Sequence, residues 1–397
     1  MALTALAWPY NLGGVGGGPH AESRATPPAD PETTKVNDMQ AAFAIPGDLN
    51  TRTGGYIYDR RMLETLNAIG QPAVHLPLMP SWPHPTPQAQ AELAQKLRAL
   101  PPGTPLIMDG LVFGAMDTAL LAALDLPVVP MLHHPLGLEA GLPPDVARAL
   151  IAREAANLRH ADHVVVPSPH TKAILIRDFG VAPGDISVAL PGFDRPAPPA
   201  APVPRADPPL ILSVGIICER KGHDVLLAAL DRLRDRPWRA AIVGLVNDHD
   251  VMAALHRQRA DLGLDERITF TGGIPPEALD QLWRQAHLFA LATRYEGYGM
   301  VLSEALLYGL PVVSCAVGAV PDTLPPGAGI LTPPDDPDAF AAALGRLLTD
   351  QDAHAAMAAT ARAEGAALPR WEEAAAVMAR ALARAAGRGW GTRLGAD

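Results

Sequence analysis

The residues best placed to do chemistry lie in the run Tyr295-Glu296-Gly297-Tyr298-Gly299-Met300-Val301-Leu302-Ser303-Glu304-Ala305-Leu306-Leu307-Tyr308-Gly309-Leu310-Pro311. Two glycines lead into a helix-forming stretch that Gly309 and Pro311 end. Free amides at such a helix start, with no Cβ at Gly297 or Gly299, make a seat for a phosphate or a sugar oxygen. Glu296 stands just before the helix and Glu304 about a turn and a half into it, so at roughly 1.5 Å per residue the carboxylates lie on the order of 10 Å apart. A retaining glycosidase needs its pair at about 5 Å. The longer spacing suits two hydroxyl-bearing ends of one elongated ligand, and a nucleotide sugar is such a ligand.

Other segments offer matching chemistry. Ser213-Val214-Gly215-Ile216-Ile217-Cys218-Glu219-Arg220-Lys221-Gly222 runs from strand to loop to helix and brings Arg220 and Lys221 to a point where they can neutralise a leaving diphosphate. Lysine is scarce: only Lys35, Lys96, Lys172 and Lys221 occur. Gly54 and Gly55 sit between the first strand and its helix, where close backbone approach to a ligand is possible for glycine alone. His133 and His134 end another strand, with Glu139 downstream as a residue shaping the second substrate's site, and Asp109-Gly110 ends the strand before. No third metal ligand follows the histidine pair at useful spacing. Asp335-Asp336-Pro337-Asp338 reads as acidic capping of an Ala-rich helix rather than a metal site, and no metal or other cofactor is expected.

Together these residues resemble glycosyltransferase family 4, whose Glu-x7-Glu pattern lies within Tyr-Glu-Gly-(Phe/Tyr)-Gly-x-x-x-x-Glu-Ala and is followed by Gly-x-Pro-Val. Taken singly, each glutamate would pass for a helix-dipole partner or a solvated surface residue; the flanking match favours function. The resemblance implies that Glu304 holds the ribose diol and Glu296 the donor sugar hydroxyls. Gly297, Tyr298, Gly299 and Met300 would carry the sugar and phosphates. Lys221 matches the family's Lys-Gly motif, whose lysine contacts the donor diphosphate. The family often has Arg directly after the strand's glycine, here Gly215; this chain has Ile216, and Arg220 is the stand-in for that charge. Gly54 and Gly55 would lie over the donor phosphates and the acceptor, and one of His133 and His134 near the transferred sugar. Ser168-Pro169-His170-Thr171 reads first as a helix N-cap. Pro191-Gly192-Phe193-Asp194 and Trp371-Glu372-Glu373-Ala374 are weaker matches. The likeness covers roughly residues 41–386 and is densest in the second half.

Positioning these groups requires two α/β units. Short apolar runs at 42–46, 73–78, 106–108, 127–132 and 163–166 alternate with helical stretches at about 55–69, 88–99, 114–124, 144–160 and 169–179, as in a buried parallel sheet. A Pro-rich linker, 196–209, follows. The alternation then restarts with strands at 210–214, 240–243, 268–271, 288–292, 312–314 and 330–331. Terminal helices follow at about 336–349, 352–364 and 371–386, one of them returning to the first unit. The expected fold is α/β of the GT-B type, two Rossmann-like domains whose parallel sheets face across an interdomain cleft. The domain reading is a tail (1–38), an acceptor-side domain (39–195), the linker, a nucleotide-sugar domain (210–365), and a returning helix with a tail (366–397). The glycine run Gly13–Gly18 has no strand before it and does not qualify as a phosphate loop.

Composition sets outer limits. The chain has 397 residues, a formal charge of −10, 48% apolar and 19% charged residues, which is globular rather than disordered. The acidic balance argues against nucleic acid or anionic lipid as the main partner. Two cysteines, Cys218 and Cys315, cannot build a disulfide framework. The opening residues lack a basic region and a long apolar core, so the expected location is the cytoplasm, with peripheral membrane contact compatible and oligomeric state open. The reading is a transferase that moves a sugar from a nucleotide diphosphate to an unidentified acceptor, a glycan, lipid or small molecule, and the resemblance to family 4 implies that it is a retaining one. The alternatives are a nucleotide-sugar epimerase or a non-catalytic nucleotide-sugar-binding protein of the same fold.

Overall fold

The computed structural model describes residues 40–387 except 140, 200 and 202; the expected tail and its glycine run lie outside the described residues. The first half is a six-stranded sheet of β1 (Ala41–Pro46), β2 (Ala73–Leu78), β3 (Leu106–Asp109), β4 (Val128–Met131), β5 (Val164–Val166) and β6 (Ile186–Val188), in the order β2-β1-β3-β4-β5-β6. The second comprises β7 (Leu210–Val214), β8 (Arg239–Val243), β9 (Ile268–Gly272), β10 (Leu288–Leu291), β11 (Val312–Cys315) and β12 (Gly329–Thr332), in the order β12-β11-β10-β7-β8-β9. Every neighbouring pair of strands is parallel. Parallel strands need crossovers, and the helices supply them on both faces.

Sheet order reverses between β1 and β3 and again between β7 and β10. Ligands of open α/β sheets bind outside the carboxyl ends of strands at such switch points. The loops leaving β1, β3, β4, β7 and β10 are those that carry the candidate residues.

Helices α1 (Gly54–Ala68), α2 (Pro87–Arg98), α3 (Gly110–Phe113), α4 (Thr118–Ala122), α5 (Pro144–Leu158) and α6 (Pro169–Phe179) belong to the first half. Of the helix expected over 114–124 only Thr118–Ala122 is helical, as α4, and the short α3 lies before that range. A Cβ on Gly114 would lie 2.7 Å from Leu136 Cδ1 and 3.0 Å from Glu154 Oε1, so glycine lets the end of α3 pack closely there. Asp117 then caps a new start by accepting from Ala119 N at 3.0 Å. Strand β6, three residues long, had too little pattern to stand out.

The second half has α7 (His223–Asp231), α8 (His249–Asp261), α9 (Pro276–Gln285), α10 (Met300–Leu307), α11 (Val320–Thr323), α12 (Pro337–Thr349), α13 (Gln351–Ala367) and α14 (Trp371–Gly387). Among the described residues no helix is long and apolar enough to cross a membrane. The described residues between Asp194 and Pro209 form no helix or strand.

Helix α14 packs on the first sheet, not the second. Its buried positions Trp371, Ala374, Ala375, Met378, Ala381, Leu382 and Ala385 recur every three or four residues, which makes one apolar stripe. That stripe shares a core with Phe43, Ile45, Tyr58, Met62 and Leu66. The return is pinned beside the linker: Phe193 N donates to Pro369 O at 2.9 Å, and Arg195 donates to Ala366 O at 2.9 Å.

Candidate active site

The second half builds most of the site. Lys221 ends a single helical turn after β7, and Gly222 follows at φ +61°. A Cβ on Gly222 would lie 1.9 Å from Ala292 O, so glycine alone lets this loop lie against the end of β10. The lysine stem runs beside Gly215, where an added Cβ would sit 3.4 Å from Cδ and Cε. The loop is also stitched to the residues after β10: Arg294 N donates to Arg220 O at 2.8 Å, and Thr293 Oγ1 lies 3.1 Å from the same oxygen. Arg294 further pairs with Asp224 and Asp335, both at 2.8 Å.

Glu296 is 5% exposed and is met on two sides. Lys221 Nζ donates to its Oε1 at 2.6 Å, and Thr293 Oγ1 donates to the same oxygen at 2.9 Å. Arg220 lies 3.5 Å from Oε2. Burial alone would raise the Glu296 pKa, but the Lys221 and Arg220 charges outweigh it and hold the carboxyl below its ordinary value. Gly299, at φ +87°, opens α10 with no side-chain cap, which leaves the first amides of the helix to a ligand.

Glu304 sits in the second turn of α10, half-buried, and no hydrogen bond or ion pair among the described residues reaches its carboxylate. Burial pushes its pKa up to about 7, with Lys221 pulling the other way. The two glutamates thus face opposite environments. Glu296 is fixed and charged, whereas Glu304 has its acceptor capacity unspent.

The first half closes over this face. Ser168 caps α6, accepting from Thr171 N at 3.0 Å, and also donates to Gly297 O at 2.6 Å. A Cβ on Gly297 would stand 2.4 Å from His133 O, and one on Gly54 3.9 Å from Met300 Sδ. Phe193 stacks on Tyr298 with ring centroids 6.3 Å apart. Glu139 takes Arg220 Nε at 2.7 Å and lies 2.8 Å from His134 Nε2. Burial opposes it, but the His134 hydrogen bond and the Arg220 charge bring the Glu139 pKa down to about 2.

His133 belongs to a different group. Its Nε2 is 3.0 Å from Asp59 Oδ1 and 3.6 Å from Asp109 Oδ2. One potential ligand atom from each of these three residues lies within 4.8 Å of the others. Spacing along the chain gave His133 no companions of this kind, because they come from α1 and from the end of β3. His133 Nε2 already faces both carboxylates, so their charge is met within the group.

The structure therefore brings Arg220, Lys221, Glu296, Gly297, Tyr298, Gly299, Met300, Gly54, Gly215, His133, His134 and Glu139 to one face, with Glu304 in the helix behind it. Gly55 is also there, its added Cβ lying 3.5 Å from His133 Cδ2. Sequence reading missed Thr293, Arg294 and Asp59. Thr293 and Arg294 flank the recognised motif, and Asp59 lies four residues beyond the Gly-Gly pair, where nothing local marks it.

Residues 57–195 match the family described as Glycosyltransferase Family 4, and residues 194–364 match Glycosyl transferases group 1. The chain belongs to glycosyltransferase family 4. Similar proteins include a GDP-mannose-dependent alpha-(1-6)-phosphatidylinositol monomannoside mannosyltransferase of Mycolicibacterium smegmatis, 32% identical over 219 residues, or 51% of this chain and 57% of that protein. A D-inositol 3-phosphate glycosyltransferase of Nocardia farcinica is 33% identical over 231 residues, 54% of this chain and 50% of that protein. The chain thus spans between half and two thirds of these relatives. Among solved structures, sucrose-phosphate synthase from Thermosynechococcus elongatus superposes with a TM-score of 0.70 at 22% identity, covering 86% of this chain and 98% of that one. HepE from Anabaena, solved in complex with UDP and glucose, gives 0.67 at 18% identity over 87% of this chain and 99% of its own. The family 4 chain has the GT-B fold, with its two parallel sheets in the arrangement of these neighbours.

Proposed function

We propose that this family 4 protein transfers a glycosyl unit from a nucleotide-diphosphate sugar to an acceptor hydroxyl, with retention of anomeric configuration. The observation that carries the reading is the assembly of Arg220 and Lys221 beside the uncapped start of α10, with two glutamates in contrasting states. Lys221 has three N–H donors and spends one on Glu296, so it can reach a diphosphate without releasing that carboxylate. Arg220, Lys221 and the α10 amides then stabilise charge as it develops on the leaving phosphate. Glu296, held by Lys221 and Thr293, presents its remaining oxygen to donor-sugar hydroxyls. Glu304, whose carboxylate has no partner among the described residues, accepts from the ribose diol. Gly54 and Gly55 keep the first domain's loop close over the phosphates, and closure of the two halves excludes water, whose attack on the donor is the competing reaction. A nucleotide-sugar donor is supported by the relatives, one GDP-mannose-dependent and one solved with UDP and glucose.

The test is thermal stabilisation of the protein and of Glu304→Ala by UDP, GDP and ADP and their sugars, because a ligand of the native state raises stability by mass action. One nucleotide class is expected to stabilise the wild type selectively and the variant less. Absence of any shift at millimolar concentration would remove the donor-site assignment.

A further inference from the structure

The Asp59, Asp109 and His133 group has no part in holding the donor as described above, yet its construction is specific. Three elements supply it, namely α1, the end of β3 and the end of β4, and it lies at the β1/β3 switch point. Asp59 is 1% exposed and Asp109 2%. Among the described residues no lysine or arginine forms an ion pair with either. His133 Nε2 is the base that reaches both carboxylates among the described residues. Two buried carboxylates facing a single imidazole would leave a net buried negative charge if both were ionised, and such a charge is costly. Sharing one proton between the carboxyl groups, with a second on Nε2, makes the group neutral. Asp59 is the closer to the ring and accepts from Nε2–H; Asp109 is the farther, accepts Leu111 N–H on Oδ1 at 3.0 Å, and is the natural seat for the shared proton.

The ring is fixed as well as charged. Tyr58 meets it edge-on, with centroids 5.3 Å apart and planes at 82°, and Tyr58 is itself tied to Ala189 O by a 2.8 Å hydrogen bond. Nε2 is thereby committed inward. Nδ1 has no hydrogen-bond partner among the described residues, and the His133 side chain keeps 23% of its surface exposed.

Resting on the glycosyl-transfer reading, we propose that Asp59 is a positioning residue: with Asp109 as its neutral partner it keeps His133 as an imidazolium whose Nδ1–H points a charge-assisted donor at an oxygen of the bound donor substrate. His133 then acts as a hydrogen-bond donor and has no free lone pair with which to act as a general base. Two shifts accord with this. Burial and the Asp59 charge push the Asp109 carboxyl well up; burial pulls His133 down, but Asp59 and Asp109 outweigh it and raise the imidazole. The other ionisable groups around the ring are Tyr56 and Tyr58 on α1, and His134 with Glu139 on its own loop. Tyr56 is pushed up to about 12 by burial and by Asp109, Asp59 and Asp48, so it stays neutral.

The decisive measurement is the NMR titration of His133, assigned by its loss in His133→Gln, in the wild type, Asp59→Asn and Asp109→Asn. His133 is expected to stay charged through neutral pH in the wild type, to titrate lower in Asp59→Asn, and to remain raised in Asp109→Asn, where an amide replaces an already neutral acid. With the nucleotide sugar that stabilises the protein, Asp59→Asn is expected to lose at least about tenfold in kcat at pH 8, with the donor KM changed by less than about threefold. Its rate should fall as pH rises through the lowered His133 titration. A wild-type His133 that is neutral at pH 7, or an Asp59→Asn variant with an unmoved titration, overturns the proposal. If no nucleotide sugar binds, the transfer reading fails while the titration still decides the state of His133. If Asp59→Asn does not fold, the wild-type and Asp109→Asn titrations decide it.

Discussion

Glu304 makes the apoprotein less stable than it need be, and the size of that effect follows from its surroundings. Its carboxyl lies in α10 with no hydrogen-bond or ion-pair partner among the described residues, and burial lifts its pKa from the ordinary 4.5 to about 7. The folded state therefore holds a proton that the unfolded state has released between those values, and stability falls as pH rises from 4.5 through 7. The distance between the two values, at about 1.4 kcal/mol per pH unit, sets a ceiling of ~3.5 kcal/mol above pH 7. Solvent contact at the half-buried side chain lowers the realised figure. Glu304→Gln removes the titration while keeping the shape. It should stabilise the free protein at pH 8 by up to ~3 kcal/mol, by roughly 2 at pH 6 and by under about 1 at pH 5, while losing affinity for the nucleotide. The assay is chemical denaturation of wild type and variant at those three pH values, with a nucleotide titration alongside. A variant no more stable at pH 8, or a difference that does not shrink toward pH 5, would refute the reasoning that an unpartnered, ligand-awaiting carboxylate is stored here at a cost to the fold.

Lys221→Ala strips Glu296 of its 2.6 Å partner and leaves a 5% exposed carboxylate with Thr293 and a more distant Arg220. A loss of about 2–4 kcal/mol is expected in denaturant unfolding, largely recovered in Lys221→Ala/Glu296→Gln, while nucleotide-diphosphate stabilisation stays lost in both. Trp371→Ala empties a 5% exposed site against Tyr58, 5.5 Å away between ring centroids, and should cost about 3–5 kcal/mol. Protease cleavage should then appear first within α14; a cost under about 1 kcal/mol would mean that this helix does not hold the first domain together.

Periodicity and punctuation were enough to place most elements. Alternating apolar strands and helices of this spacing have one common solution, parallel sheets with covered faces, and the Pro-rich stretch after Asp194 separates the two. The Tyr295–Pro311 run exposed the donor-side residues because strand, glycines, helix and glutamates are consecutive, so local geometry fixes their relation. The same locality found Ser168 as a cap, since an N-cap bonds to an amide three residues on. Tertiary structure alone decided what depends on contacts between distant segments. Glu139 reaches Arg220 across 81 residues and His133 reaches Asp59 across 74, distances at which chain spacing carries no geometric information. The late start at Thr118 of the helix expected over 114–124 was settled by the fold, as were the environments of the two glutamates, Glu296 against Lys221 and Arg220 and Glu304 buried without such a pair. A sequence states which groups are available. Burial and the partners brought in by folding decide which of them stay charged, which are held still, and which are left waiting for a ligand.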